Sequence, residues 1–168
     1  TPQNISGGYN NIMSVSLNNL GQGLIGDDQN FAAFVTSDKS SCMPITTTSF
    51  SGSINSVAIN DLGEGLIGWS NGQAAFVSYG QSSPTAILTD PQLVDITSVA
   101  INAGGEGLVG GIFSPMMPQS GYAAFVSFGN TTLNPINLGS ITSNLIRSVA
   151  INDLGQGLIV GDNGYAAF

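Results

Sequence analysis

Short apolar segments of four to six residues recur along this chain, each set between clusters of Gly, Asn, Asp and Pro. One reads Ser14-Val15-Ser16-Leu17-Asn18 and returns as Ser56-Val57-Ala58-Ile59-Asn60, Ser98-Val99-Ala100-Ile101-Asn102 and Ser148-Val149-Ala150-Ile151-Asn152, at intervals of 42, 42 and 50 residues. A second follows each time: Gly23-Leu24-Ile25-Gly26, Gly65-Leu66-Ile67-Gly68, Gly107-Leu108-Val109-Gly110 and Gly157-Leu158-Ile159-Val160. The third is Ala32-Ala33-Phe34, Ala74-Ala75-Phe76, Ala123-Ala124-Phe125 and Ala166-Ala167-Phe168, and a fourth opens on Pro2, Pro44, Pro84 or Pro135. The segments are partly β-branched or aromatic, are bounded by turn formers and carry no helical period, so each predicts a strand.

The turns join these strands in antiparallel order. Asn71-Gly72 and Asn163-Gly164, between the second and third segments, suit a type I′ hairpin, whose central residues both need positive φ. Asn60-Asp61-Leu62-Gly63 and its relatives at 18–21 and 152–155 predict a hairpin between the first and second, with Asn bonding its own backbone. Proline at the head of the fourth strand predicts an outer edge, where a missing N–H costs least.

Four short antiparallel strands in every 40 to 50 residues is the period of a propeller blade. The expected fold is therefore all-β, a single domain over 1–168: a β-propeller of four four-stranded blades, closed as a four-bladed ring or forming part of a larger one. The repeats run approximately 6–47, 48–89, 90–138 and 139–168, the last completed by 1–5. In this frame Pro2 to Ile5 fills the outer place in the blade that ends at Phe168, which removes an exposed edge. The small residues of Ala-Ala-Phe let neighbouring blades approach while Phe34, Phe76, Phe125 and Phe168 fill the gaps between them.

Charge narrows the partners. Only 7% of residues are charged, and Lys39 and Arg147 are the two bases against ten acids. A chain this poor in cations cannot neutralise a row of phosphates or hold an anionic membrane by charge, so nucleic acid is not an expected partner. No apolar run reaches the 18 or so residues of a membrane span, and no membrane insertion by this segment is expected. Cys42 is the single cysteine, which excludes an intrachain disulfide. The sequence opens on Thr1, which points to a processed product or a piece of a longer protein.

Histidine is absent, which removes Ser-His-Asp and Cys-His mechanisms and His-ligated metals. Glu64 and Glu106 hold equivalent turn positions and are the pair that glycoside hydrolysis would need, yet Gln22 and Gln156 stand there in the other units, as on a solvated surface. Asp27-Asp28-Gln29-Asn30 and Gly161-Asp162-Asn163-Gly164 offer oxygen ligands but lack the EF-hand spacing, and read as Asx-rich turns. No metal or cofactor is expected.

The one break in the period lies in unit three, where residues 111–120 replace a short hairpin with a longer loop carrying Ile112, Phe113, Met116 and Met117. Insertions in repeats collect on one face, often the binding face, and Met suits adaptable apolar contacts. These four residues and Trp69, at the corresponding place in unit two, are the candidate binding residues.

The run from Ser56 to Gly68, followed by Ala74-Ala75-Phe76, resembles the HAF repeat of bacterial extracellular proteins: an Ile-Asn turn with Gly, a Gly-ended strand, then His-Ala-Phe. Ala32, Ala74, Ala123 and Ala166 stand where that pattern has His. The pattern is also similar to propeller-like repeats in the passenger regions of bacterial autotransporters. The resemblance implies a secreted or bacterial cell-surface location and a binding or structural role. The expected function is thus a non-enzymatic extracellular scaffold, structural or adhesive, with a protein or glycan surface partner and a homo-oligomer completing a larger ring. A carbohydrate-binding propeller is the alternative, and a glycan-processing enzyme comes third.

Overall fold

The computed structural model describes residues 10–36, 41–114, 119–139 and 144–168. Their strands form four antiparallel sheets in chain order. Sheet 1 holds β1 (Ile12–Leu17), β2 (Gly23–Asp27), β3 (Ala32–Val35) and β4 (Cys42–Ile45); sheet 2 holds β5 (Ile54–Ile59), β6 (Glu64–Trp69), β7 (Ala74–Ser78) and β8 (Thr85–Ile87). Sheet 3 holds β9 (Leu93–Ile101), β10 (Glu106–Phe113), β11 (Ser120–Ser127) and β12 (Asn134–Pro135), and sheet 4 holds β13 (Ile146–Ile151), β14 (Gly157–Gly161) and β15 (Ala166–Ala167). Each sheet is a simple meander, and each lies within one of the expected repeats. Pro44 and Pro135 sit on the outer strands β4 and β12, as a residue without an N–H must. The strand expected from Pro2 to Ile5 lies outside the described residues.

Packing runs from each sheet to the next, β1 against β5, β5 against β9 and β9 against β13. A bulge in every first strand prepares this contact. Ile54 pairs with Trp69 and Ser56 with Gly68, so Asn55 between them has no opposite number; Met13, Thr97 and Arg147 hold the same place in the other sheets. The additional residue restarts the alternation of faces, so Ile54 and Val57, three apart, point the same way. Both press on Gly26 of sheet 1; Ile96 and Val99 press on Gly68, and Ile146 and Val149 on Gly110. A leucine answers in the other direction: Leu24 lies over Gly65, Leu66 over Gly107 and Leu108 over Gly157.

Polar bonds follow the same repeat. Ser14 Oγ accepts the Val57 N–H at 3.0 Å, Ser56 that of Val99 at 3.0 Å and Ser98 that of Val149 at 3.1 Å. At the bulges, Asn55 Nδ2 donates to Ile96 O at 3.0 Å and Thr97 Oγ1 to Ile146 O at 2.7 Å. These part-buried bonds satisfy the Val57, Val99 and Val149 N–H groups at the three interfaces.

Ala-Ala-Phe fills the interfaces unevenly. Phe34 and Phe76 are buried and Phe125 half-buried, whereas Phe168 is exposed, no sheet among the described residues covering it. Of the two expected type I′ hairpins, Asn163-Gly164 has both φ positive, at 55° and 74°. At Asn71-Gly72 only Gly72 does, since Asn71 instead accepts the Gln73 N–H on its side chain, an Asx turn.

Candidate functional site

Trp69 ends β6 inside the interface between sheets 1 and 2. It is fully buried, stacks on Phe50 at 4.4 Å with the rings 8° apart, and donates its indole N–H to Asn30 Oδ1 at 2.7 Å. Asn30 is held for this by a positive φ of 65° and by donation from its amide to Phe50 O at 2.8 Å. No face of the indole is left to stack on a sugar.

The unit-three insertion is an extension of the β10–β11 hairpin, in which Ile112 pairs with Gly121 and Phe113 with Ser120. Ile112 is buried, and half-buried Phe113 stacks on Tyr122 at 6.1 Å. Burial pushes the Tyr122 phenol above its usual range, with Asp90 adding to the effect. Met116 and Met117 lie outside the described residues.

The turns after the first strands gather in a row. Asn60 Oδ1 accepts the N–H groups of Leu62 and Glu64 at 3.1 and 2.9 Å, and its Nδ2 donates to Glu64 Oε2 at 2.7 Å and to Asn102 O at 2.9 Å. Asn18 reaches Asn60 O at 2.9 Å and Asn102 reaches Asn152 O at 3.0 Å, so one amide bridges every pair of neighbouring sheets. Gln22 and Gln156 receive the same bond as Glu64 and Glu106, at 2.8 Å in both cases. Only a side-chain carbonyl-type oxygen is needed there, which accounts for the exchange of Glu and Gln. The two glutamates are turn braces.

Beside this row all four sheets border a cavity of about 260 Å³ that includes Asn19, Asp61, Ala103 and Asp153. Asp61 accepts the Asn19 side-chain and backbone N–H groups, which hold its carboxyl below the usual range. Asp153 accepts the Ala103 N–H at 3.0 Å. The candidate calcium turns are spent in the same way: Asp27 accepts the N–H groups of Asn10, Gln29 and Phe31, and Asp162 is paired with Arg147. Among the described residues no three acidic or cysteine side chains converge as a metal would require. No helix among them is long and apolar enough to cross a membrane.

The functional candidates that remain are the two ends of the stack. Val57, Val99 and Val149 are 5, 6 and 7% exposed under the preceding sheet, whereas the equivalent Val15 is 69% exposed, beside open Met13 and Leu17. Leu24, Leu66 and Leu108 are wholly buried under the following sheet, whereas Leu158 is 45% exposed. These ends are not marked in the order of residues, because every repeat reads alike; the one signal is Val160, the departure from Gly in the second strand. Val160 pairs with Ser148 as Gly26 pairs with Ser14. No family model and no curated protein matches the chain.

Proposed function

We propose that this chain is a non-enzymatic interaction scaffold of β-propeller-type blades, forming an arc of a larger ring and acting at a bacterial cell surface or in the secreted space. The observation that carries the reading is the contrast between Val15 and its three buried equivalents: three internal interfaces state what covers such a face, namely another sheet of the same pattern with Gly opposite the bulge. Sheet 4 presents Leu158 to match Gly23, but Val160 obstructs Ile12 and Val15, so the chain's own ends do not fit each other as its inner sheets do. What covers the first face is thus a Gly-bearing blade other than sheet 4. Its partly apolar, cation-poor surface suits protein contact rather than nucleic acid.

The test is molecular mass by light scattering. Wild-type chain is expected to stay single, Val160→Gly to associate head to tail, and a further Val15→Lys to reverse the association. A Val160→Gly chain with wild-type mass overturns the arc. Hydrolysis of a glycan or ester by pure chain, lost in Glu106→Gln, overturns the non-enzymatic part.

A further inference from the structure

A cleft of about 250 Å³ lies between sheets 2 and 3, away from both ends of the stack, with walls that include Phe76, Ser78, Gln81, Ser83, Thr85 and Phe128. None of its lining residues is charged. The same place between sheets 1 and 2 is occupied. Met43 pairs with Phe34 as Thr85 pairs with Phe76, and Met43 packs into the core of that interface, as does Tyr79, the equivalent of Phe128. Thr85 is shorter and exposed, so the second interface keeps open a space that methionine takes in the first.

The walls are fixed by bonds of their own. Phe128 meets Phe76 edge-on at 5.0 Å, and its N–H donates to Gly105 O at 2.7 Å. The loop from β7 to β8 is held by the Gln81 N–H on Ser78 O at 2.9 Å, and by Ser82 O, which accepts the Thr46 N–H of sheet 1 at 2.7 Å. On this frame the side chains of Ser78, Gln81, Ser83 and Thr85 make no hydrogen bond to the rest of the described protein. Their hydroxyls and amide can both donate and accept. Half-buried Phe128 adds an aromatic surface beside them.

We propose that this cleft binds a single uncharged pyranose ring of a glycan. A pyranose carries hydroxyls around its rim and C–H groups on its faces. The C–H groups suit the electron-rich face of Phe128, and the hydroxyls suit Ser78, Gln81, Ser83 and Thr85, which have no other partner. The space is smaller than the roughly 300–1,000 Å³ of sites for drug-sized ligands, so it takes one ring. An anionic ligand would find no cation among the lining residues and a cationic one no carboxylate, which leaves a neutral ligand. Walls already held in place cost little further ordering on binding. The site goes beyond the reading of the chain as an interaction scaffold and gives it a ligand class.

The probes are the methyl glycosides of glucose, mannose and galactose, each titrated into the whole chain and followed by amide NMR. At least one is expected to bind saturably, with Kd on the order of 1–10 mM for so few contacting atoms, and with shifts centred on Ser78, Gln81, Ser83, Thr85 and Phe128. Thr85→Met, which copies Met43, is expected to abolish binding while the urea midpoint holds or rises, as when a cavity is filled. Exposed Gln81→Ala leaves the fold intact and is expected to weaken binding. No saturable shift with any of the three glycosides, shifts centred elsewhere, or undiminished binding by either variant overturns the site. Head-to-tail association of Val160→Gly reads the end faces separately, so either result stands when the other fails.

Discussion

A Cβ on Gly26 would stand 2.3 Å from the Cγ2 methyl of Ile54 and 2.9 Å from its Cβ, so the first two sheets meet as they do only because residue 26 has no side chain. The same relation joins Gly68 to Ile96 and Gly110 to Ile146, and the bulge in each first strand aims the isoleucine at the glycine.

Gly68→Ala is therefore expected to destabilise the chain by about 1–3 kcal/mol, the range for overpacking a filled interior. Its added methyl would lie 2.4 Å from Ile96 Cγ2 and 3.0 Å from Val99 Cγ1. Gly104→Ala, whose methyl meets only Asn102 Oδ1 at 3.4 Å, is expected to be neutral or slightly stabilising through the unfolded state. Urea denaturation of the pair checks this, and equal losses would refute the glycine-hole account.

The bridging amides predict a graded series. Asn102→Ala removes a buried side chain that accepts from Gly104 and Glu106 and donates to Asn152 O, with an expected loss of about 1–3 kcal/mol. Asn152→Ala removes the same turn bonds where Asn152 is exposed and bridges to no further sheet among the described residues, and less than about 1 kcal/mol is expected. A reversed order in chemical denaturation would sink the bridge. Glu64→Gln keeps the acceptor that Asn60 uses, and a change within about 0.5 kcal/mol is expected.

Trp69 is the single tryptophan, and it is sealed between sheets 1 and 2. Its emission is expected at short wavelength, protected from acrylamide and unmoved by added glycans. Quenching at the rate of a free indole, or a spectral shift with sugar, would return Trp69 to the binding candidates.

One charge pair makes the acid response readable. Arg147 donates to Asp162 from Nε at 2.6 Å and from a terminal nitrogen at 2.8 Å, and these bonds, with the guanidinium charge, hold the Asp162 carboxyl below its ordinary 3.8. A lowered carboxylate contributes stability that is full above its ordinary value and is lost as pH falls through the lowered one. In Arg147→Met the Asp162 midpoint is expected to rise toward 3.8, followed by carboxyl NMR; an unmoved midpoint would assign the shift elsewhere.

Local chemistry was legible in the order of residues. The four repeats, their strands, the Asn turns and the outer prolines follow from side-chain alternation, positive-φ glycine and the missing proline N–H, all properties of a few neighbouring residues. The bulge was not legible, since Asn55 looks like any polar strand residue until Ile54 and Val57 are seen to share a partner 28 or more positions away. Whether Trp69 packs or binds was not legible for the same reason: Phe50 and Asn30, which bury it, are distant in sequence.

Sequence by itself determined that this chain makes four like units with Gly and Ala where they must approach closely. Tertiary structure alone decided which copies of the same residue are covered. Val57 and Val15 have the same neighbours in the chain and differ only in whether a sheet lies in front of them, and burial is a property of that sheet, not of the repeat.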